Sequence, residues 1–175
     1  MPLPGGRPAL LTVGALVLLL GLYLGLPWLS PARGVERAFD HLLEAIEDKD
    51  AAALERLFGP DYAPSLGHDR AETLRLAAEI RGQFATCSIR REQSELVLDP
   101  SKESATTRAL VRFRGQGSPV ARAVVDASAA TTTPAVFRWR RNSWKPWDWR
   151  LVGIDHPDAA RALARFERQA AALGL

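Results

Sequence analysis

Residues 135–154 read AVFRWRRNSWKPWDWRLVGI and carry the clearest strand pattern of the chain. Apolar residues alternate with arginines along Ala135–Arg141, and apolar and polar residues alternate again along 147–154, which is the two-residue period of a β-strand. The five residues 142–146, which include a proline, separate the two runs and are typical of a turn. The stretch therefore predicts an antiparallel hairpin of two strands.

Two further strands are predicted upstream of this hairpin. Apolar and polar residues alternate along 87–98, and the same period returns along 107–114. Residues 115–119, GQGSP, predict a loop. The segment 120–133 is ambiguous, because its two adjacent valines suit an edge strand whereas its many small residues specify little.

Three helices are predicted before the strands. Apolar residues recur at three- and four-residue steps along 35–46, as on one face of an amphipathic helix. Asp50 is a candidate N-cap for a short second helix that Gly59 ends, and Asp69 is a candidate N-cap for a third helix that reaches about residue 81. Helices followed by strands predict an α+β domain, with the helices packed on one side of a mostly antiparallel sheet.

The N-terminal segment is almost entirely apolar, and no charged side chain lies between Arg7 and Arg33. About 20 apolar residues in helical form span the hydrocarbon of a bilayer. We therefore expect a transmembrane helix within residues 1–32 that enters the membrane through residues 8–29, with a cleaved signal peptide as the alternative. A span so near the N-terminus typically exports the remainder of the chain. The expected location is the bacterial inner membrane, single-pass, with a periplasmic domain; a cytosol-facing domain is the alternative, because the positive charges on the two sides of the span do not decide its orientation.

The C-terminal residues complete the predicted organisation. Pro157 suits the first position of a closing amphipathic helix over residues 157–175. The expected units are thus an N-terminal anchor at 1–32, an α+β domain at 33–156 and the C-terminal helix.

Composition limits the classes of protein and of site. The 175 residues are 47% hydrophobic and 25% charged, which suits one packed domain and excludes a disordered chain or a multidomain enzyme. A single cysteine, Cys87, excludes an intramolecular disulfide. The three histidines are far apart in the sequence, so we expect no metal site, and the sequence has no P-loop or Rossmann glycine pattern, so we expect no cofactor.

The charges are divided along the chain. Residues 34–81 carry six basic and eleven acidic side chains, whereas residues 82–156 carry twelve basic and seven acidic ones. The helical half is therefore acidic and the strand half basic. Such a dipolar body could contact a second copy of itself through the sheet, or an anionic partner.

Two stretches resemble the nuclear-transport-factor-2-like (NTF2-like, also SnoaL-like or cystatin-like) superfamily. One is FGPDYAPSLGHDR, residues 58–70, between the paired helices and the third helix, and the other is the tryptophan-rich strand WDWRLVGI, residues 147–154. The resemblance covers about residues 34–156. It implies a cone of three helices wrapped by a curved sheet, with a pocket and often a dimer through the sheet. It implies no particular reaction, because this fold hosts isomerases, dehydratases, assembly modules and binding domains.

An enzyme of this fold would need a pocket carboxylate as base and a hydroxyl or acid as oxyanion donor. By position the candidates are Asp61, Tyr62, His41 and its neighbour Asp40. His41 and Asp40 are adjacent on one helix and point about 100° apart, so they cannot both face a pocket. Asp61 and Tyr62 are equally well explained as turn residues.

The candidate ligand-binding residues are aromatic and basic: Trp139, Trp147, Trp149, Arg138 and Arg140. Such sets can stack on rings and pair with anionic groups. The alternative is that the tryptophans fill the core while the arginines lie along the surface.

The expected function is a membrane-anchored, non-catalytic binding or assembly module of the bacterial cell envelope. Its partner would be an envelope protein or a small apolar or anionic ligand, and nucleic acid is not expected. The alternative is a small SnoaL-like enzyme of the isomerase or dehydratase type with an apolar pocket.

Overall fold

The computed structural model describes residues 30–63 and 69–157, which form a four-stranded sheet with four helices. The elements in chain order are α1 (Pro31–Glu47), α2 (Ala51–Leu57), α3 (Arg70–Gly82), β1 (Phe84–Leu98), β2 (Ser104–Gly117), α4 (Pro119–Ala130), β3 (Ala135–Arg141) and β4 (Trp149–Asp155).

The sheet is antiparallel throughout, and its strands pair in chain order. The β1–β2 hairpin is long, and its register shifts between Glu92 and Glu95, where Gln93 has a φ of 47°. β3 pairs only with residues 104–109 of β2. Helix α4 covers the rest of that β2 edge, where the Ser128 hydroxyl accepts a hydrogen bond from the Phe113 N–H.

Helix α1 lies across one face of the sheet, which we call the inner face. Its apolar stripe is buried as the sequence predicts, and the Phe39 ring packs on Phe137 and Trp139 with centroids 4.5 and 5.8 Å away. Burial of this stripe against the sheet, rather than helix propensity alone, stabilises α1.

The two predicted N-caps are confirmed. The Asp50 carboxylate accepts a hydrogen bond from the Ala53 N–H at 2.8 Å, and that of Asp69 accepts one from the Glu72 N–H at 2.8 Å. Each carboxylate satisfies a backbone donor that the first helical turn leaves open. Helix α3 has no fully buried residue, and half-buried side chains such as Leu74 attach it to the core.

One prediction for the middle of the chain is wrong, and one segment that the sequence leaves ambiguous proves to be a helix. The sequence predicts a loop at 115–119, whereas β2 continues to Gly117. The segment 120–133 holds helix α4 rather than an edge strand, so the domain has four helices where three are expected. The Ser118 hydroxyl accepts a hydrogen bond from the Ala121 N–H, and Pro119 occupies the first turn, which together start the helix.

The expected transmembrane helix and the C-terminal helix fall almost entirely on residues 1–29 and 158–175, outside the described residues. Within 30–63 and 69–157, none of the helices has the length and apolar character needed to cross a bilayer.

Candidate functional site

Aromatic side chains are buried between α1 and the inner face of the sheet. Phe39, Phe137, Trp139 and Trp149 are each at most 6% exposed. Two of the candidate ligand-binding residues, Trp139 and Trp149, therefore lie in the hydrophobic core.

Two polar atoms are buried in this interior without a hydrogen-bond partner, the Thr107 hydroxyl and the Trp139 indole N–H. They lie on adjacent strands, since Thr107 is on β2 and Trp139 on β3. Buried polar groups usually have a partner.

The turn at residues 58–63 runs along the edge of β4, so the two stretches that carry the family resemblance lie side by side. The N–H of Gly59 donates to the carbonyl of Leu151 at 2.8 Å, and the N–H of Ala63 donates to that of Val152 at 3.0 Å. The turn thus extends the sheet beyond its last strand.

Arginines of β3 cross β4 on the outer face of the sheet, opposite α1, and hold this turn. Arg138 donates to the Ala63 carbonyl at 3.0 Å and pairs with the Asp155 carboxylate at 3.1 Å. Arg140 forms an ion pair with Asp61. Both candidate ligand-binding arginines are thus engaged with groups of the protein itself.

Tyr62 is buried within the turn. Its ring packs on Phe58 with centroids 4.8 Å apart. Burial raises the pKa of the Tyr62 phenol above its ordinary value, and the hydrogen bond with Thr73 opposes this shift only in part. The carboxylate of Asp155 also raises it. The hydroxyl therefore remains protonated at neutral pH.

The catalytic candidates do not share one environment. Tyr62 is buried, whereas Asp61 and His41 are exposed. Asp40, the neighbour of His41, forms an ion pair with Arg91 at 3.1 Å. Among the described residues, no cluster of three or more His, Cys, Asp or Glu side chains could hold a metal ion.

A groove of about 590 Å³ opens where the outer face meets the end of β4. Arg108, Val136 and Asp155 line it on three neighbouring strands, together with His156. No sequence motif indicates this groove, because strand pairing alone brings its residues together.

Two tryptophans lie at the surface, in the loop that joins β3 to β4. Trp144 is 81% exposed and Trp147 is 48% exposed. β4 begins at Trp149, so Trp147 precedes the strand in which the sequence places it. Of the three candidate ligand-binding tryptophans, Trp147 is the one that solvent reaches.

Comparison with known proteins identifies the fold. No protein-family model and no curated protein matches this sequence. A conserved protein from Planctomyces limnophilus has a similar structure, with a TM-score of 0.54 and 16% identity over 70% of this chain and 91% of that one. An NTF2-like protein of unknown function from Pseudomonas putida gives a TM-score of 0.52 and 10% identity over 71% of this chain and 83% of that one.

Two further solved structures complete the comparison. A Streptomyces avermitilis protein of the NTF2-like family, with a provisional dehydratase name, gives a TM-score of 0.51 and 16% identity over 71% of this chain and 93% of that one. Bd1075 of Bdellovibrio bacteriovorus gives a TM-score of 0.52 and 7% identity over 70% of this chain, which spans only 38% of that protein. At these identities the likeness establishes the fold alone, which is the NTF2-like α+β fold.

Proposed function

We propose that this chain is a membrane-anchored binding or assembly module of the bacterial cell envelope. In this proposal residues 8–29 cross the inner membrane, and the NTF2-like domain works through its surface in the periplasm rather than through an interior pocket.

The observation that carries the proposal is the aromatic packing of the interior. In the interior of the cone, where the resemblance implies a pocket, this chain packs four aromatic rings, those of Phe39, Phe137, Trp139 and Trp149. Interiors packed in this way have few voids larger than a water molecule. The surface, with its exposed tryptophans and its groove, is then the part of the domain that can meet a partner.

The charges of the turn support the same function. Asp61, the first candidate for a catalytic base, is exposed and paired with Arg140. The carboxylate is thus engaged with a group of the protein itself at the surface of the domain. This arrangement suits an ion pair that holds the turn to the sheet more than a base awaiting a proton.

The proposed membrane anchor at residues 8–29 can be tested with the full chain in bacterial membranes. Two arginines near the centre of the apolar segment, in L18R/L19R, should each cost about 2.5–3.5 kcal/mol of insertion free energy. We expect the unaltered chain to resist extraction by alkaline carbonate and the L18R/L19R variant to be released from the membrane.

A matched control adds the same two charges elsewhere. The A129R/A130R variant places them on the exposed side of α4, and it should remain in the membrane. Release of the unaltered chain by carbonate would refute the anchor. A reporter that is active only in the periplasm, fused after Leu175, should be active, and its inactivity would contradict the periplasmic location.

A second candidate function is favoured by Tyr62. A buried phenol with a raised pKa is a neutral hydrogen-bond donor, which an isomerase or dehydratase can use to stabilise a developing oxyanion. The Streptomyces avermitilis protein, whose structure is similar, carries a provisional dehydratase name, and dehydration is a reaction of this class. If Tyr62 acts in this way, the protein turns over a small substrate. The Tyr62→Phe variant then loses this turnover while the domain stays folded.

A further inference from the structure

We propose that the loop joining β3 to β4, residues 142–148, lies in the headgroup layer of the membrane, with Trp144 and Trp147 at the boundary with the hydrocarbon. This inference rests on the proposed anchor at residues 8–29 and adds a second contact, made by the folded domain itself.

The exposure of the two loop tryptophans is the first argument. Trp144 is 81% exposed and Trp147 is 48% exposed, whereas Trp139 and Trp149 of the flanking strands are buried. Large aromatic side chains that the core leaves in water cost free energy unless a partner covers them. Indole rings, which combine an apolar body with one N–H, concentrate at membrane interfaces.

The position of the loop is the second argument. It packs on the first turn of α1 so closely that a Cβ at Gly34 would collide with the Pro146 carbonyl oxygen and lie 2.8 Å from the Trp149 indole nitrogen. That indole N–H donates to the same carbonyl at 2.8 Å, which fixes the loop there.

The length of helix between the proposed anchor and Gly34 determines how far from the hydrocarbon the loop lies. From Ser30 to Gly34 the helix rises about 6 Å, at about 1.5 Å per residue. Each headgroup layer of a bilayer is about 5–8 Å thick. A chain that leaves the hydrocarbon near Leu29 therefore brings the loop to the level of the headgroups.

The charge of this end of the domain is the third argument. Lys145 at the loop, Arg33 on the first turn of α1 and Lys102 on the neighbouring β1–β2 turn are exposed, and so are the acids Glu36, Asp99 and Glu103 at the same end of the domain. Asp148 pairs with Arg150 at 3.4 Å. Burial opposes the charge on Asp148, but hydrogen bonds within the loop outweigh this effect and keep its pKa low. Within the loop itself the exposed charge is that of Lys145, whose ammonium group fits the phosphates of anionic lipids.

The test uses tryptophan fluorescence of the full chain in vesicles of three parts phosphatidylcholine to one part phosphatidylglycerol. A Trp28→Phe background removes the tryptophan of the anchor segment, and the signal lost in W28F/W144F/W147F isolates the loop. Quenching is measured with iodide in the water and with lipids brominated near the top of the acyl chains.

The matched control carries one tryptophan at the other end of the sheet. The W28F/W144F/W147F/A129W variant places it on the exposed side of α4, beside the C-terminal half of β2. We expect brominated lipid to quench the loop signal strongly and iodide to quench it at least threefold less than it quenches Trp introduced at position 129.

Three results would overturn the proposal, and they are distinguishable. If the protein floats with the vesicles but iodide quenches the loop as fully as the control, the anchor stands and the loop contact fails. If neither quencher reaches the loop, it is covered by protein, such as a second copy of the chain. If the protein does not float with the vesicles, both the anchor and the loop contact fail.

Discussion

At the scale of single residues, Tyr62 gives the domain a stability that depends on pH. Its folded pKa lies above the ordinary value of 10.0, so as the pH rises the unfolded chain loses the phenol proton first. The contribution of Tyr62 is fully present below pH 10 and is lost as the pH rises from 10 through the folded pKa. Urea unfolding of the full chain in non-ionic detergent, at pH 8 to 11, should show this loss.

The Tyr62→Phe variant isolates this effect from other titrating groups. At neutral pH it should be less stable by about 1 kcal/mol, because it lacks the hydrogen bond with Thr73. The difference in unfolding free energy between the two proteins should then shrink above pH 10. A difference that stays constant or grows with pH would show that the phenol is not buried as described.

The contacts of single residues also explain why the sequence predicts the candidate site only in part. Alternation along residues 135–141 correctly separates the tryptophan side from the arginine side of β3. It cannot show that Arg138 and Arg140 meet Asp155 and Asp61, because these pairs form only after the strands and the turn are assembled. Nor does alternation show that the strand begins at Trp149, which leaves Trp147 in the loop.

At the scale of elements, the approach of α1 to the β3–β4 loop depends on Gly34. In the Gly34→Ala variant the added methyl group meets the backbone carbonyl of Pro146, which cannot rotate away as a side chain could. We expect a loss of about 1–3 kcal/mol in unfolding free energy, the usual cost of overpacking. Urea unfolding of the full chain in detergent measures it.

Gly82→Ala is the matched control, at the last residue of α3. A Cβ there has nothing within 4 Å, so alanine should leave the packing unchanged and stabilise the protein by up to about 1 kcal/mol. Equal stability of the Gly34→Ala variant and the unaltered chain would contradict the close packing of α1 on the loop.

Helix α4 shows where element prediction from the sequence fails. Its adjacent valines suit a strand locally, but contacts with β2 stabilise the helix, because Arg112 of β2 donates to the carbonyls of Ser128 and Thr131 at the end of α4. The sequence feature that indicates this helix is Ser118 followed by Pro119, which are an N-cap and a first-turn proline. By contrast, the caps of α2 and α3 and the bounds of β3 follow directly from local residues.

At the scale of the whole molecule, the acidic helical half and the basic strand half attract each other. Ion pairs join the two halves: Asp40 of α1 with Arg91 of β1, and Asp61 of the turn with Arg140 of β3. All four side chains are partly exposed, so each pair should contribute about 0–1 kcal/mol, and salt should screen it. Raising NaCl from about 0.05 to 1 M should therefore lower the unfolding free energy by about 1 kcal/mol.

The double variant D40N/D61N tests whether these pairs carry the salt effect. In low salt it should be about 1 kcal/mol less stable than the unaltered chain, and its stability should change less as NaCl is added. E36Q/E44Q removes two exposed acids from the same helix layer and should keep most of the salt dependence. Urea is the denaturant because it adds no ions of its own. Added salt could instead leave the unaltered chain equally stable or make it more stable. Repulsion within each half would then outweigh attraction between the halves, and binding to a partner would better explain the unequal distribution of charge.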